Sequence, residues 1–233
     1  MASTFFGLTI AYTGLQAAST SVNVTAHNIA NINTTGYSRQ TVTVKANDAI
    51  RTHARYGTLG AGVDVTEINQ LRDAYYDDKY RSNESYYGEY TNKYNYMTQI
   101  EDYLNEFSLD GYCTEYKDFF EAVNQLTLTP GDETSKNALI NKASSLADYF
   151  NTLYTNLQNV QKDINSEIKS QVDDINTIAQ NITALNKQIN HIEACYGNAN
   201  DLRDQRNVLV DNLSKIVNTS VTETSIGNGL TEY

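Results

Sequence analysis

The chain has 233 residues, 40% of them hydrophobic and 19% charged, with a formal net charge of −11; it can bury a core and is not composed like a disordered chain. The acidity argues against nucleic acid as a partner, because phosphate binding needs clustered Lys and Arg, and against docking on an anionic membrane surface. No apolar run approaches the ~18 residues of a membrane span, and no basic stretch precedes Phe5, Phe6 and Leu8 as it would in a secretory leader, so any export is expected to use no cleaved Sec-type leader.

From Thr4 to Ile29 the residues Phe5, Leu8, Tyr12, Leu15, Ala18, Val22, Ala26 and Ile29 recur at three- and four-residue steps, one stripe along a helix. That helix is weak on its own. Gly7 and Gly14 each cost about 1 kcal/mol relative to Ala, and Thr9, Thr13, Val22, Val24 and Thr25 add smaller penalties. In an isolated chain it is expected to be disordered or held only by contacts with other copies. Asn31 to Gln40 reads as a helix stop and turn around Gly36, Thr41 to Val44 alternates like a short strand, and Val63–Val65 looks like its partner across a loop with Gly57, Gly60 and Gly62.

A second long helix is read from about Thr66 to Phe107, with Ile68, Leu71, Tyr75, Ser82, Tyr86, Tyr94, Met97, Ile100 and Leu104 at heptad-like spacing, then a turn from Asp110 to Cys113. A shorter helix from Glu115 to Leu126 would bury Phe119, Phe120, Val123 and Leu126 and stop at Thr129–Asp132. The longest periodic run, from Glu133 to Cys195, steps by three or four from Leu146 through Val160, Ile164, Ile168, Val172 and Ile175 to Ile192. As one helix it would be roughly 90 Å long, packed antiparallel to the second. Leu157 and Ile182 are read as core, where truncation to alanine would cost about 2–5 kcal/mol. One proline in the whole chain permits such lengths. Gly197 ends the run, Asn200 could cap a further helix to Val217, and Ser220 to Tyr233 reads as a hairpin turning at Asn228–Gly229.

The fold class is therefore mainly α: an elongated bundle of long coiled-coil-like helices, a small β-hairpin element near the N-terminus and the start of a β region at the C-terminus. Residues 1–31 would be an assembly helix, 32–65 a connector, 66–218 the bundle, and 219–233 the opening of a β-rich part that is cut short. Catalytic, cofactor-binding and metal-binding residues are none. His27, His53 and His191 lie in unrelated contexts, and Asp77–Asp78 and Asp173–Asp174 sit on predicted helices where neighbours point apart. Cys113 and Cys195 fit no metal or redox spacing; two thiols are the simpler reading and a disulfide the alternative.

One segment is more specific. Asn28-Ile29-Ala30-Asn31-Ile32-Asn33-Thr34-Thr35-Gly36-Tyr37 resembles the N-terminal signature of the bacterial flagellar axial proteins, the rod, hook and hook-associated family. The continuation Ser38-Arg39-Gln40 is similar to the hook-associated members that join hook to filament, and so is the segment Asp201-Leu202-Arg203-Asp204-Gln205-Arg206. The resemblance implies a structural subunit with no enzymatic activity, exported unfolded through the flagellar type III channel and located outside the cell in the flagellum. Implied partners are copies of itself, the hook protein and the second junction protein, with an export chaperone that binds a C-terminal region this chain lacks. A rod or hook subunit remains the nearest alternative, then a coiled-coil chaperone or adaptor, and last a wall-degrading enzyme.

The expected assembly surface is the stripe Phe5, Leu8, Tyr12, Leu15, Val22 and Ile29, because an exposed apolar face on an acidic chain asks for a partner. Asn28, Ala30, Asn31, Thr34, Thr35, Gly36, Tyr37, Arg39 and Gln40 carry the family motif, and Asn31–Gln40 would be the corner that turns the stripe toward the outer domain. Asp201, Leu202, Asp204, Gln205 and Arg206 form the second motif. The helix that packs on the N-terminal one in the family would be missing here.

Overall fold

The computed structural model describes residues 5–51, 57–104, 111–195, 197–227 and 230–232. Among them are the helices α1 (Phe6–Ala30), α2 (Ala74–Leu104), α3 (Tyr112–Leu128), α4 (Glu133–Glu193) and α5 (Asn200–Ser214). The strands are β1 (Gln40–Ala46), β2 (Ile50–Arg51), β3 (Thr58–Leu59), β4 (Val63–Gln70), β5 (Thr224–Gly227) and β6 (Leu230–Glu232). The fold is mainly α, with three two-stranded antiparallel ribbons. It divides into two compact units: Met1–Ser85 with Ile175–Tyr233, and Tyr86–Asp174.

In the first unit β1 and β4 pair from Gln40↔Gln70 to Ala46↔Val63, with a bulge between Thr43 and Val44. The two expected short strands are this pair, but β4 continues to Gln70. The second long helix therefore starts at Ala74, not at Thr66. It is described as far as Leu104, and its expected end at Phe107 lies outside the described residues. The stretch Asn47–Gly62, expected as loop, contains the small β2–β3 ribbon, with Ile50 opposite Leu59; His53 is outside the described residues.

α1 packs against both β1 and β4, and its buried residues are Ala17 and Val24. The helix thus has a mate within the chain, which corrects the expectation that only another subunit could hold it. Gly62, at φ +100°, makes the close approach possible: a methyl group there would lie 2.3 Å from Oγ1 of Thr13 and 3.5 Å from the Ile10 backbone. The Val63 N–H in turn donates to Thr13 Oγ1 at 3.4 Å.

α5 and the C-terminal part of α4 supply most of the buried residues of this unit. Ile189 is fully buried, and Val210, Ala199 and Ser214 are buried with it. The start of α2 is tied in by a buried cation: Arg81 donates through Nε to Asp211 Oδ1 at 2.8 Å and through a second nitrogen to Asn207 Oδ1 at 3.4 Å. α5 ends at Ser214, three residues earlier than expected. Asn200 is its first helical residue and does not cap it; its side-chain amide donates to the Ile68 carbonyl at 2.7 Å. The terminal hairpin forms with Thr224 opposite Glu232, while its expected turn, Asn228–Gly229, is outside the described residues.

The second unit is built on the middle of α4. Tyr96 of α2 donates to Glu167, and farther along α2 the Leu104 carbonyl accepts from Tyr149 at 3.3 Å. As α2 advances its partners on α4 recede, so the two run antiparallel, as expected. α3 continues in the same sense: Tyr112 rests on Phe150 with ring centroids 5.8 Å apart, and Asp118 accepts from Lys142 at 2.6 Å. α3 opens at Tyr112, so Cys113 is in its first turn; both cysteines are exposed thiols. Phe119, Val123 and Leu126 are half-buried, whereas Phe120 is exposed. Asp132, expected only to end α3, also starts α4 by accepting the N–H groups of Thr134 and Ser135 at 3.2 Å. The Ser135 hydroxyl, which donates to Asp132 Oδ2 at 2.9 Å, and then those backbone bonds hold its carboxyl below the ordinary value. Leu157 is 39% exposed and Val160 4%, so the cost of a core truncation moves from Leu157 to Val160, one turn on.

Candidate assembly interface

The chain leaves α1 with two unlike faces. Ala17 and Val24, seven residues apart, lie on the ribbon, and small side chains let the backbones come close. Phe5, Leu8, Tyr12, Leu15, Val22 and Ile29 lie on the other side and are each 65–69% exposed. At 100° per residue the two sets centre on opposite sides of the helix. Six large apolar side chains are thus aligned in water on an acidic chain.

The corner after α1 is held by one side chain in particular. Asn28 Nδ2 donates to the Gln40 carbonyl, and its Oδ1 accepts the Gln40 N–H, both at 2.9 Å. The amide thus pairs with the first residue of β1 as another strand would. The same Oδ1 accepts the Tyr37 hydroxyl at 2.7 Å, and the Tyr37 ring meets His27 edge-on at 5.5 Å. Between them Asn31 closes the turn: its carbonyl accepts Thr34 N–H at 2.9 Å and its Oδ1 accepts Thr34 Oγ1 at 3.2 Å. Ala30, Thr35 and Arg39 are exposed; the Arg39 backbone carbonyl accepts Leu71 N–H at 2.8 Å.

The second motif turns out to be the seat of this corner. Ser38 N–H donates to Asp204 Oδ2, and Gln40 Nε2 donates to Asp201 Oδ1, both at 2.9 Å. Asp201 also lies 3.6 Å from His27 Nε2. Gly36, at φ +78°, passes directly over α5, where a methyl group would sit 2.0 Å from Cγ2 of Val208. Gln205 and Leu209, with Leu185 and Gln188 of α4, line an open groove of about 680 Å³ beside Tyr37. Arg206 is buried and donates to Asn186 Oδ1 at 3.2 Å, joining α5 to α4, and Leu202 is half-buried. Beneath the corner Arg72 binds Asp77 at 2.5 Å and reaches Ser38 Oγ at 3.3 Å. Neither the Asn28 clip nor the joining of the two motifs was evident beforehand. Asn28 was one letter of a signature, and its partner is twelve residues away on a strand.

Burial raises the Asp204 carboxyl above its ordinary value, against the lowering effect of Ser38 and Arg72. The Tyr37 phenol is also raised, first by burial and then by Asp201 and Asp204. A carboxyl raised on folding contributes stability that is complete below its unfolded value and lost as pH rises through its folded value. Asp204→Asn keeps an acceptor for Ser38 and removes the charge. The melting temperature of Asp204→Asn relative to the parent should therefore climb as pH rises above the ordinary carboxylate range. A difference that stays constant across pH would show that Asp204 is not desolvated.

Residues 97–229 match the family described as the flagellar hook-associated protein FlgK helical domain, and residues 8–37 match the flagella basal body rod protein family. The first match spans more than half of the chain. The chain belongs to the flagellar hook-associated protein FlgK family. FlgK-family relatives named flagellar hook-associated protein 1 include one from Bacillus subtilis, 34% identical over 99% of this chain and 46% of its own length. Those from Escherichia coli and Salmonella typhimurium are 32% and 34% identical over 91% of this chain and 38% of theirs. The chain thus spans less than half the length of these relatives. The rod-protein match coincides with α1 and the corner, and the FlgK match with the helices that seat it. The family is one of structural flagellar proteins. No group of three or more metal-binding side chains occurs among the described residues, and no helix among them is long and apolar enough to cross a membrane.

Proposed function

We propose that this chain is a structural subunit of the junction between flagellar hook and filament, and that it assembles by burying the outer face of α1 against neighbouring axial subunits. The observation that supports it most directly is the pair of opposed faces on α1: small residues against the chain's own ribbon, large apolar residues in water. The corner gives that face a fixed direction. Asn28, Gly36, Ser38 and Gln40 are bound to β1 and α5, so force applied to α1 passes into the long helices. In this reading the partners are copies of itself, the hook protein and the second junction protein, with delivery by type III export and no catalytic role.

Deleting the gene in its host tests the reading. The expected strain is non-motile, carries hooks without filaments and releases flagellin into the medium. Normal filaments on the deletion strain would overturn the proposal, and loss of hooks as well would assign the chain to the rod or hook.

A further inference from the structure

The groove beside Tyr37 is short of positive charge. It lies wholly within the first unit, between the corner, α4 and α5, and neither Lys nor Arg lines it. Asp204 lines it while only 5% exposed; its Oδ2 accepts from Ser38, and its Oδ1 has no hydrogen-bond partner among the described residues. A buried acceptor left without a donor costs free energy and calls for an explanation. Arg72 lies beneath but directs its hydrogen bonds to Asp77 and Ser38, and burial still raises the Asp204 carboxyl. Asp201, one turn earlier on α5, has a side chain 62% exposed and engages only its Oδ1, with Gln40 and His27. Near the half-buried Leu185 and Val208, the exposed amides of Gln188 and Gln205 form no hydrogen bond among the described residues. Two carboxylates beside apolar side chains suit a guanidinium on an aliphatic stem, which brings five N–H donors and a fixed charge.

The chain itself supplies such a group. Arg39 is exposed, and its guanidinium has no partner among the described residues. Ser38 and Gln40 on either side of it bind Asp204 and Asp201, so the alternation of an extended backbone turns Arg39 away from the groove of its own chain. Donor and acceptor therefore sit on different sides of one molecule. That is the arrangement of a head-to-tail contact, in which each copy gives one half to each neighbour and the series does not stop at a pair. The distribution of charge favours the same pairing. Of the 28 acidic residues only Asp48 precedes Val63, and Arg39 shares that stretch with Lys45, Arg51 and Arg55. Copies of a chain with net charge −11 repel one another unless opposite charges meet where they touch. We infer that the groove receives Arg39 of a second copy, its guanidinium on Asp201 and Asp204 and its stem along Leu185 and Val208, so that subunits join head to tail.

This contact rests on the self-assembly proposed above but uses a different surface from the α1 stripe. Arg39→Glu and Gln205→Lys, both at exposed positions, should each lower incorporation into flagella at least about tenfold, because each sets like charge on like. Combined in one chain they should restore it. Proximity is read separately, in the full-length protein with its own cysteines replaced by serine. There Arg39→Cys together with Gln205→Cys should give a ladder of dimers, trimers and longer products when isolated flagella are oxidised, and either substitution alone should give no ladder. An isologous pair would stop at the dimer, and a contact within one chain would give only monomer; both outcomes overturn the inference. Subunits present in the flagella without a ladder, or a combined charge variant no better than its components, overturn the head-to-tail contact and leave assembly through α1 standing. Absence of the parent subunit from flagella overturns the assembly proposal itself, and this contact with it.

Discussion

Replacing Gly36 with alanine is expected to lower the stability of the unit containing the corner by about 2–4 kcal/mol, from two separable causes. The backbone at Gly36 has φ +78°, where a residue with a side chain is strained by about 1 kcal/mol or more. The added methyl group would also lie 2.0 Å from Cγ2 of Val208, and relieving such a clash in a packed contact costs about 1–3 kcal/mol. Val208 sits on α5 beside Asp204 and Gln205, so moving it disturbs the seat of the corner. Val208→Ala in the Gly36→Ala background should recover the second part and leave the first, and thermal melting of the four proteins as a cycle measures the coupling. Additive effects would mean that Gly36 does not rest on Val208.

The elements that sequence alone located well are those whose signal is local and long. α4 shows one period from Leu146 to Ile192, and its 61 residues follow without a break. β4 was missed beyond Val65 because Ile68 fits a three-residue helical step from Val65 as well as a strand. Its assignment is decided by Thr41, Val42 and Thr43 across the ribbon, a pairing more than twenty residues distant. Strands of two residues, such as β2 and β3, have no period to detect. In the sequence the first turn of α3 reads as a turn because Gly111 precedes it, yet Gly111 stands at the N-cap and the helix begins directly after it.

The site divides the same way. The stripe on α1 was legible because Phe, Leu, Tyr and Ile contrast with their neighbours. The helix's other contact face was not, since Ala17 and Val24 do not stand out on a helix rich in alanine and threonine. The two motifs were found separately through resemblance. That they form one structure depends on hydrogen bonds across 161 and 166 residues, from Gln40 to Asp201 and from Ser38 to Asp204, and such pairing leaves no trace in local periodicity. Arg39 is exposed, because Ser38 and Gln40 on either side of it face α5 and leave it pointing away.

Leu15→Asp is expected to abolish incorporation into the flagellum while leaving the fold of the chain unchanged. Leu15 is 69% exposed on the side of α1 away from the ribbon, so a carboxylate there is solvated in the isolated chain and costs little. In an assembly that buries the stripe the same carboxylate would be desolvated among Tyr12, Val22 and their counterparts, at a cost of several kcal/mol unless it finds a cation. Ala17→Asp, two residues along, should do the reverse: Ala17 is 8% exposed against the ribbon, so the charge should unfold α1 in the isolated chain. Circular dichroism and melting of the purified variants, with motility and fractionation of the variants in a full-length background, separate the two faces. Filaments of normal length on cells carrying Leu15→Asp would show that the outer face of α1 is not the surface by which the subunit assembles. A parent-like melt for Ala17→Asp would show that α1 is not held by the β1–β4 ribbon.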